Sequence, residues 1–555
     1  MAGITDHLAS LVTDALESMR RDGTTAFESL PAVQLERPKR REHGDWSTNV
    51  ALSIAGKGHS PRDFANELVD HLPASDMVAG VDVAGPGFIN FRLAPAWLHD
   101  VVRRAADPSS GFGRSDAGAG RVVNVEFVSA NPTGPINVVS GRHAAYGDAV
   151  ASLLEATGHR VGREYYVNDA GRQMTLFTRS VEARYLQHFG LEAEIPEEGY
   201  RGEYVRDLAV EIAAEVGDRL TGVEGGERVA ALRDLALARM MDQMRGTLDR
   251  FGTRFDTWFS ERSLHDSGAV EEALQRLGAS GLVEEREGAV WFRSSEFGDD
   301  KDRVLVRSDG EPTYLAADAA YMRDKFGRGF DHLVYVLGMD HHGTIARMHA
   351  LADALGFGRA RVEIRLVQLV TLQRGGETVK ASKRAGQVVP LDELVEEVGK
   401  DAARYIFLMR SLDAPLEFDI ELAKEQAPEN PVYYVQYAHA RICSILRRAG
   451  EQGVDIPDVG DVSLDALVHP SEDALMRKLA SYEEVLPEAA AMRAPHRIAR
   501  YVEELAATFS AFYRDCRVVG EDEGVTAGRL ALCIATRAVV ADGLGLLGVS
   551  APERM

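Results

Sequence analysis

Two short stretches carry residue types suited to phosphate chemistry. Lys380-Ala381-Ser382-Lys383-Arg384 packs ammonium groups and a hydroxyl into one turn, a set that can neutralise charge on a leaving pyrophosphate. Asn131-Pro132-Thr133-Gly134-Pro135 lies between a β-branched run, Val122 to Val128, and a helical pattern with Ala145, Ala149, Leu153 and Leu154 near one face. Free N–H groups in such a turn, and at the N terminus of the helix after it, face an anion. Glu126 and Asn131 then stand at the strand's exit, the side on which open parallel sheets bind ligands. Each signal alone is weak. Many α/β folds open with strand, glycine turn and helix, and an isolated basic turn is usually just solvated. The lysine turn, however, follows another β-rich run, Ile364 to Leu372, and the pair together points to a nucleotide site.

These residues need a multidomain scaffold, and 555 residues suffice for three or four domains. Met1 to about Pro108 reads as an α+β module. Leu8, Leu11, Val12 and Leu16 line a first helix, and Val81 to Phe91 forms two strands around Gly85-Pro86-Gly87. Asp107 to Gly120, rich in glycine and serine, reads as a loose linker. Residues 121–390 read as the nucleotide-binding domain, interrupted at about 169–252 by helical patterns at Arg206 to Val216 and Arg228 to Phe251. Trp291 to Arg293 and Val304 to Val306 read as strands returning toward the core, and Leu333 to Leu337 as an apolar strand ending at Gly338. Residues 391–555 read as a helical bundle. There Asn430-Pro431 starts a helix with the stripe Val435, Ala438, Ile442 and Ile445. Ile498, Val502, Leu505, Phe509 and Phe512 make a second stripe, against which Val539, Leu544 and Leu547 can pack.

The formal net charge of −23 argues against nucleic-acid binding by bulk charge, though not against a local basic surface such as Arg37, Lys39, Arg40 and Arg41. That segment reads equally well as a solvated loop. Cys443, Cys516 and Cys533 form no CxxC pair, which disfavours a disulfide framework or zinc ribbon. Asp6, Asp14 and Glu17 interrupt any signal-peptide pattern, and no uncharged apolar run reaches about 18 residues. The expectation is a cytoplasmic protein without a membrane segment.

The two phosphate stretches resemble the nucleotide signatures of class I aminoacyl-tRNA synthetases, and their surroundings resemble the arginyl-tRNA synthetase family. Supporting stretches are Val125 to Pro135, Tyr165 to Gly171, Tyr314 to Asp318, Gly338 to Gly343, Asn430 to Tyr437 and Ala551 to Met555, in the family's order across nearly the whole chain. The resemblance implies a Rossmann-type catalytic domain with a helical insertion, an N-terminal α+β domain touching the outer corner of tRNA, and an all-α anticodon-binding domain. It also implies arginine activation by ATP with Mg²⁺, transfer to tRNA(Arg), a monomer, and no protein-bound metal. By the same resemblance, Glu126, Ser129, Asn131, Tyr314 and Asp318 line the arginine pocket. Carboxylates suit a planar guanidinium, and Tyr314 and Asp318 are spaced for one helix face. Asp318 as a helix-start carboxylate or a partner of Arg323 is the competing reading. Pro132, Gly134, Pro135, Gly338 and Asp340 match ATP-binding positions, with Lys380, Ser382 and Lys383 on the phosphates. Asp340-His341-His342 makes a weak metal set, because no third and fourth ligand stand nearby in sequence.

One departure matters. The family's first signature is His-x-Gly-His, whereas this chain has Asn137, Val139 and Ser140 at those positions. Asn137 and Ser140 can donate hydrogen bonds but bring no positive charge. They are the expected catalytic stand-ins, at the start of a helix beginning near Ser140. Val139 would crowd a face that glycine leaves open for adenine. His143, one turn on, is either a partial replacement or a surface or packing histidine. Two function classes follow: an active arginyl-tRNA synthetase with a variant ATP signature, or a paralogue in arginine sensing, tRNA binding without charging, or arginine transfer in biosynthesis. The intact arginine pocket, lysine turn and helical C-terminal domain favour the first.

Overall fold

The computed structural model describes residues 3–23, 29–38, 40–54, 60–379 and 389–555. The middle of the chain is organised by a five-stranded sheet, built from β1 (Val122–Glu126), β2 (Arg160–Val167), β3 (Thr257–Ser260), β4 (His332–Gly338) and β5 (Val362–Val367). All pairings are parallel, in the order β5-β4-β1-β2-β3. The chain runs outward from β1 to β3, then crosses to the far side for β4 and β5. The strand order therefore reverses between β1 and β4, which opens a crevice at their carboxyl ends. Val123, Val125 and Phe127 are buried, each contributing about 1.5–3 kcal/mol of apolar burial. The helix after β1, α1 (Val138–Ala156), packs so closely that a Cβ on Gly147 would overlap the Phe127 ring.

Between β2 and β3 the chain makes three helices, α2 (Gly171–His188), α3 (Glu203–Val216) and α4 (Gly225–Arg250). A further helix, α5 (Tyr314–Gly327), lies against one face of the sheet and leads into β4. Some local expectations need correction. The strand from Val122 stops at Glu126, because Val128 and Ser129 adopt positive φ (69° and 41°) that no strand accommodates. The run Ile364 to Leu372 divides at Gln368-Leu369. Its second half, Val370–Arg374, leaves the main sheet to pair with Leu416–Asp419. Trp291 to Phe292 and Val304 to Val306 are strands, but they form a separate antiparallel sheet with Val283–Arg286. That sheet packs over its own apolar cluster, including Val270, Phe292 and Leu305.

At the N-terminal end, helix Ile4–Arg21 buries Leu8, Val12 and Leu16 in a module whose four-stranded antiparallel sheet contains the hairpin Val78–Ala84/Phe88–Leu93. The segment after it is not loose. Phe112 stacks on Tyr482 at 6.1 Å, Arg114 holds Asp542 at 2.5 and 3.0 Å, and Gly118 N–H donates to Thr157 O at 2.7 Å. Its glycines provide turns for packing against the C-terminal bundle. Arg37 is likewise engaged, pairing with Glu484 and lying 4.7 Å over Trp46, while Lys39 falls outside the described residues.

The bundle contains Pro431–Glu451, Pro470–Ala480, His496–Asp515 and Glu523–Leu546. Both apolar stripes are buried, as are Val539, Leu544 and Leu547. Asn430 stands at the N-cap but does not cap. Its Nδ2 donates to Ala423 O and Glu425 O, which fixes the preceding turn. Glu523–Leu546 is long and apolar enough to cross a membrane by length and composition, yet Leu530, Cys533, Val540 and Leu544 lie in the bundle core. Arg404, fully buried, ties three regions together by donating to Asp148 Oδ2 at 2.6 Å, Thr253 Oγ1 at 3.1 Å and Leu547 O at 3.0 Å.

Candidate active site

A polar seam runs between the sheet and α5. Parallel register sets Glu126 of β1 beside Glu164 of β2 and Tyr335 of β4, all on one face. On α5, Asp318, Tyr321 and Lys325 recur at helical spacing and meet that row. Lys325, with no exposed surface, donates to Glu126 Oε2 at 2.5 Å and lies 4.1 Å over the Tyr335 ring. Arg328 holds Glu164 through two bonds of 2.7 and 2.8 Å, and Tyr321 OH donates to the same carboxylate at 2.6 Å. Two sheet carboxylates are thus matched by two helix cations.

The match ends toward the strands' carboxyl ends. Neither Asp318 nor Glu261, which follows β3 directly, has an ion-pair partner among the described residues. Burial pushes the Asp318 carboxyl up to about 7, with Glu126 and then Glu261 adding repulsion against the opposing pull of Arg347 and Lys325. Burial also raises Glu261, against the pull of His265 and hydrogen bonding to Tyr166, with Asp169 adding a little repulsion. Asn168, with its amide nitrogen turned inward, donates to Glu261 Oε2 at 2.7 Å. Arg347 and Lys325 act on Asp318, and His265 on Glu261, without an ion pair to either, so the two carboxylates remain open to a positively charged group. The Arg323 reading of Asp318 fails, because Arg323 donates to Glu272 at 2.6 Å.

The other expected pocket residues are distributed around this recess. Ser129 Oγ donates to Glu126 Oε1 at 3.2 Å and accepts from Tyr166 N–H at 3.1 Å. The left-handed backbone at Val128 and Ser129 holds it there, a local strain of the kind that collects at functional sites. Asn131 Nδ2 donates to Gln173 Oε1 at 2.6 Å, joining the turn after β1 to α2. Tyr314 opens α5 with its ring 61% exposed, and its hydroxyl lies near Gly171. Lys325 and Glu261 are neighbours of the recess that the sequence does not single out, and Tyr166, within the resembling stretch Tyr165 to Gly171, carries no assigned role there. Lys325 carried a signal, seven residues after Asp318 on the same helical face. Glu261 and Tyr166 enter through β2 and β3, whose register no local pattern announces.

The nucleotide-type turn lies across the crevice. Pro132 and Thr133 are buried, while Gly134 and Pro135 remain partly open. Tyr204 OH of α3 donates to Thr133 O at 2.8 Å and passes close to Gly134. Helix α1 begins at Val138 rather than near Ser140, with Asn137 as its N-cap: Asn137 Oδ1 accepts from Ser140 N–H at 2.9 Å. Val138 N–H donates to Val389 O at 3.1 Å. The first turn is therefore partly satisfied within the protein. What remains for an anion is Asn137 Nδ2, Ser140 Oγ and the Val139 N–H. Val139 presents its side chain outward, 38% exposed.

At the end of β4, the Asp340 side chain folds back over Gly338, where a Cβ would lie 2.5 Å from Asp340 Oδ1. His143 faces the same point from α1, and burial first, then Arg142, lowers it to about 4, with Asp340 opposing and His341 assisting. Lys380, Ser382 and Lys383 lie outside the described residues. The chain on either side of them is anchored: Val379 N–H donates to Leu372 O, and Leu391 N–H donates to Ile136 O beside the nucleotide-type turn. Among the described residues, no three His, Cys, Asp or Glu side chains converge as a metal set.

Comparison with known proteins places the chain in a family. Residues 110–411 match the family described as tRNA synthetases class I (R), catalytic domain. Residues 6–93 match the arginyl tRNA synthetase N terminal domain, and 435–555 the DALR anticodon binding domain. The chain is similar to an arginine–tRNA ligase of Heliobacterium modesticaldum, 47% identical over 99% of this chain and 98% of the relative. It is 49% identical to one of Carboxydothermus hydrogenoformans over 94% of each. Among solved structures, Thermus thermophilus arginyl-tRNA synthetase superposes with a TM-score of 0.74 at 25% identity, over 99% of this chain and 100% of that one.

Proposed function

The chain belongs to the class I arginyl-tRNA synthetase family, and from that premise we propose how its residues divide the work of joining arginine to tRNA. The reaction is arginine–tRNA ligation: ATP activates arginine to arginyl-adenylate, and the arginyl group passes to the 3′ end of tRNA, with AMP and diphosphate released. The paralogue reading, in arginine sensing or biosynthetic transfer, finds no support among these nearly full-length relatives.

The observation that carries the assignment of residues is that Asp318 and Glu261 have no ion-pair partner among the described residues. Arginine's guanidinium supplies the charge that Asp318 and Glu261 lack, in fork geometry that a carboxylate holds well. Glu126, already matched by Lys325 and bonded by Ser129, receives with Asn131 the polar α-amino end of the substrate. Tyr314, exposed at the mouth, closes over the aliphatic stem. This arrangement sets the α-carboxylate toward the crevice between β1 and β4, where ATP enters over Pro132, Gly134, Pro135, Gly338 and Asp340.

At the α-phosphate, Asn137 and Ser140 donate neutral hydrogen bonds from the start of α1. Lys380 and Lys383 neutralise the leaving diphosphate while the Ser382 hydroxyl donates a hydrogen bond to it, a contribution that grows as charge develops. Mg²⁺ arrives on the ATP phosphates rather than on a protein ligand set. The parts 1–108, 121–390 and 391–555 act as tRNA-corner, catalytic and anticodon domains of a cytoplasmic monomer. The test of the pocket is arginine-dependent ATP–pyrophosphate exchange with tRNA present. Exchange with arginine, and at least about a hundred-fold less with citrulline, supports it. Equal exchange with the two removes the charge argument, because citrulline keeps the shape and loses the cation.

A further inference from the structure

We propose that His143 contacts substrate in the adenylation step, hydrogen-bonding the nucleoside end of ATP. The inference rests on the reading of the β1/β4 crevice as the nucleotide site. His143 is 8% exposed, yet neither ring nitrogen has a hydrogen-bond partner among the described residues. Among other buried or half-buried histidines, His439 Nδ1 bonds Pro552 O at 2.9 Å and His349 Nε2 bonds Val362 O at 3.0 Å, while His99, also without a hydrogen bond, has Asp465 at 3.7 Å. Nor are the His143 nitrogens sealed in, since they are absent from the buried, unpartnered polar atoms of the described residues. The ring stands on the same face of α1 as Val139, one turn deeper. A Cβ built on Gly338 would lie 4.0 Å from its Cε1. It thus forms part of the crevice floor where α1 meets the end of β4.

The charge state suits a nucleoside rather than a phosphate. Burial and the neighbouring Arg142 guanidinium keep the imidazole neutral, so it offers one N–H and one lone pair. Ribose hydroxyls and adenine ring atoms present both complements, whereas phosphate oxygens accept only.

The test is steady-state tRNA charging by His143→Leu, His143→Gln and Asp340→Asn, with thermal melts of each. Leu keeps the volume and loses both hydrogen-bonding functions, while Gln keeps a donor and an acceptor. The expected result is an ATP KM about ten-fold higher for His143→Leu, with arginine KM within about two-fold of wild type and most of the loss recovered in His143→Gln. A packing histidine predicts the reverse order, Leu tolerated and Gln destabilising, and that outcome overturns the inference. If Asp340→Asn raises ATP KM while His143→Leu does not, the role of His143 falls and the nucleotide site stands. If neither variant alters ATP KM, the nucleotide reading falls with it.

Discussion

Asp318→Asn isolates the pocket's central feature, a recessed carboxylate without an ion-pair partner among the described residues. In the loaded enzyme this group faces the guanidinium, and breaking such a pair costs about 2–5 kcal/mol. That corresponds to a rise in arginine KM of roughly 30-fold to several thousand-fold, with the lower part expected because Glu261 remains. The pH dependence is more diagnostic. Asp318 titrates near 7, and only its ionised form pairs with arginine. The competent fraction is then about one half at pH 7 and about one in eleven at pH 6, so wild-type arginine KM rises about ten-fold from pH 8 to pH 6. The Asn variant has no such group and should lack this component. Stability should move the other way. A carboxyl whose pKa is raised by folding binds its proton more tightly in the folded state, so its stability contribution is lost as pH rises from about 4 to 7. Asp318→Asn removes that repulsion and should raise the melting temperature of the unliganded protein at pH 8. The assay is charging at varied arginine and saturating ATP across pH 6 to 8, with parallel melts. An arginine KM within about two-fold of wild type, or a variant as pH-dependent as wild type, would refute the reasoning.

Lys383→Ala should lower kcat in ATP–pyrophosphate exchange with little change in arginine KM, because charge on the diphosphate develops in the transition state; a defect confined to arginine KM would contradict it. Asn137→Ala should lose about 1 kcal/mol of stability through its cap, and also lower activation by roughly ten-fold to a few hundred-fold. Ser140→Ala should lower activation similarly with an unchanged melt, and wild-type charging by both variants would move the phosphate site elsewhere. Arg404→Met should cost about 3 kcal/mol by leaving Asp148 short of a buried partner, seen as an earlier denaturant midpoint with arginine KM unaltered.

The sequence was most legible where chemistry and periodicity coincide. The strand, turn and helix from Val122 to Ala156, the hairpin around Pro86 and the buried stripes of the C-terminal helices are all local patterns. So was the class of fold, because the resemblance spans the chain. Boundaries failed where tertiary pairing decides. Gln368-Leu369 divides a continuous β-branched run because Val370–Arg374 finds its partner at Leu416–Asp419, far along the chain. Trp291 and Val304 lie in strands of their own sheet for the same reason. The segment from Asp107 to Gly120 looked like a linker because its anchors, Tyr482 and Asp542, are hundreds of residues away. The pocket divided along similar lines. Asp318 and Glu126 stand in recognisable stretches, but the pairing of Glu126 with Lys325, which shifts the unmatched charge to Asp318 and Glu261, is a product of register and helix placement.

The central claim is that the crevice beside this carboxylate pocket performs arginine activation despite lacking the signature histidines. It is tested most directly by charging purified tRNA(Arg) with radiolabelled arginine in the presence of ATP and Mg²⁺, using the full chain. The account predicts acid-precipitable arginyl-tRNA that accumulates with ATP and is lost in Asp318→Asn at subsaturating arginine. Tight arginine binding by the same preparation, with no label transferred to tRNA(Arg), would contradict it.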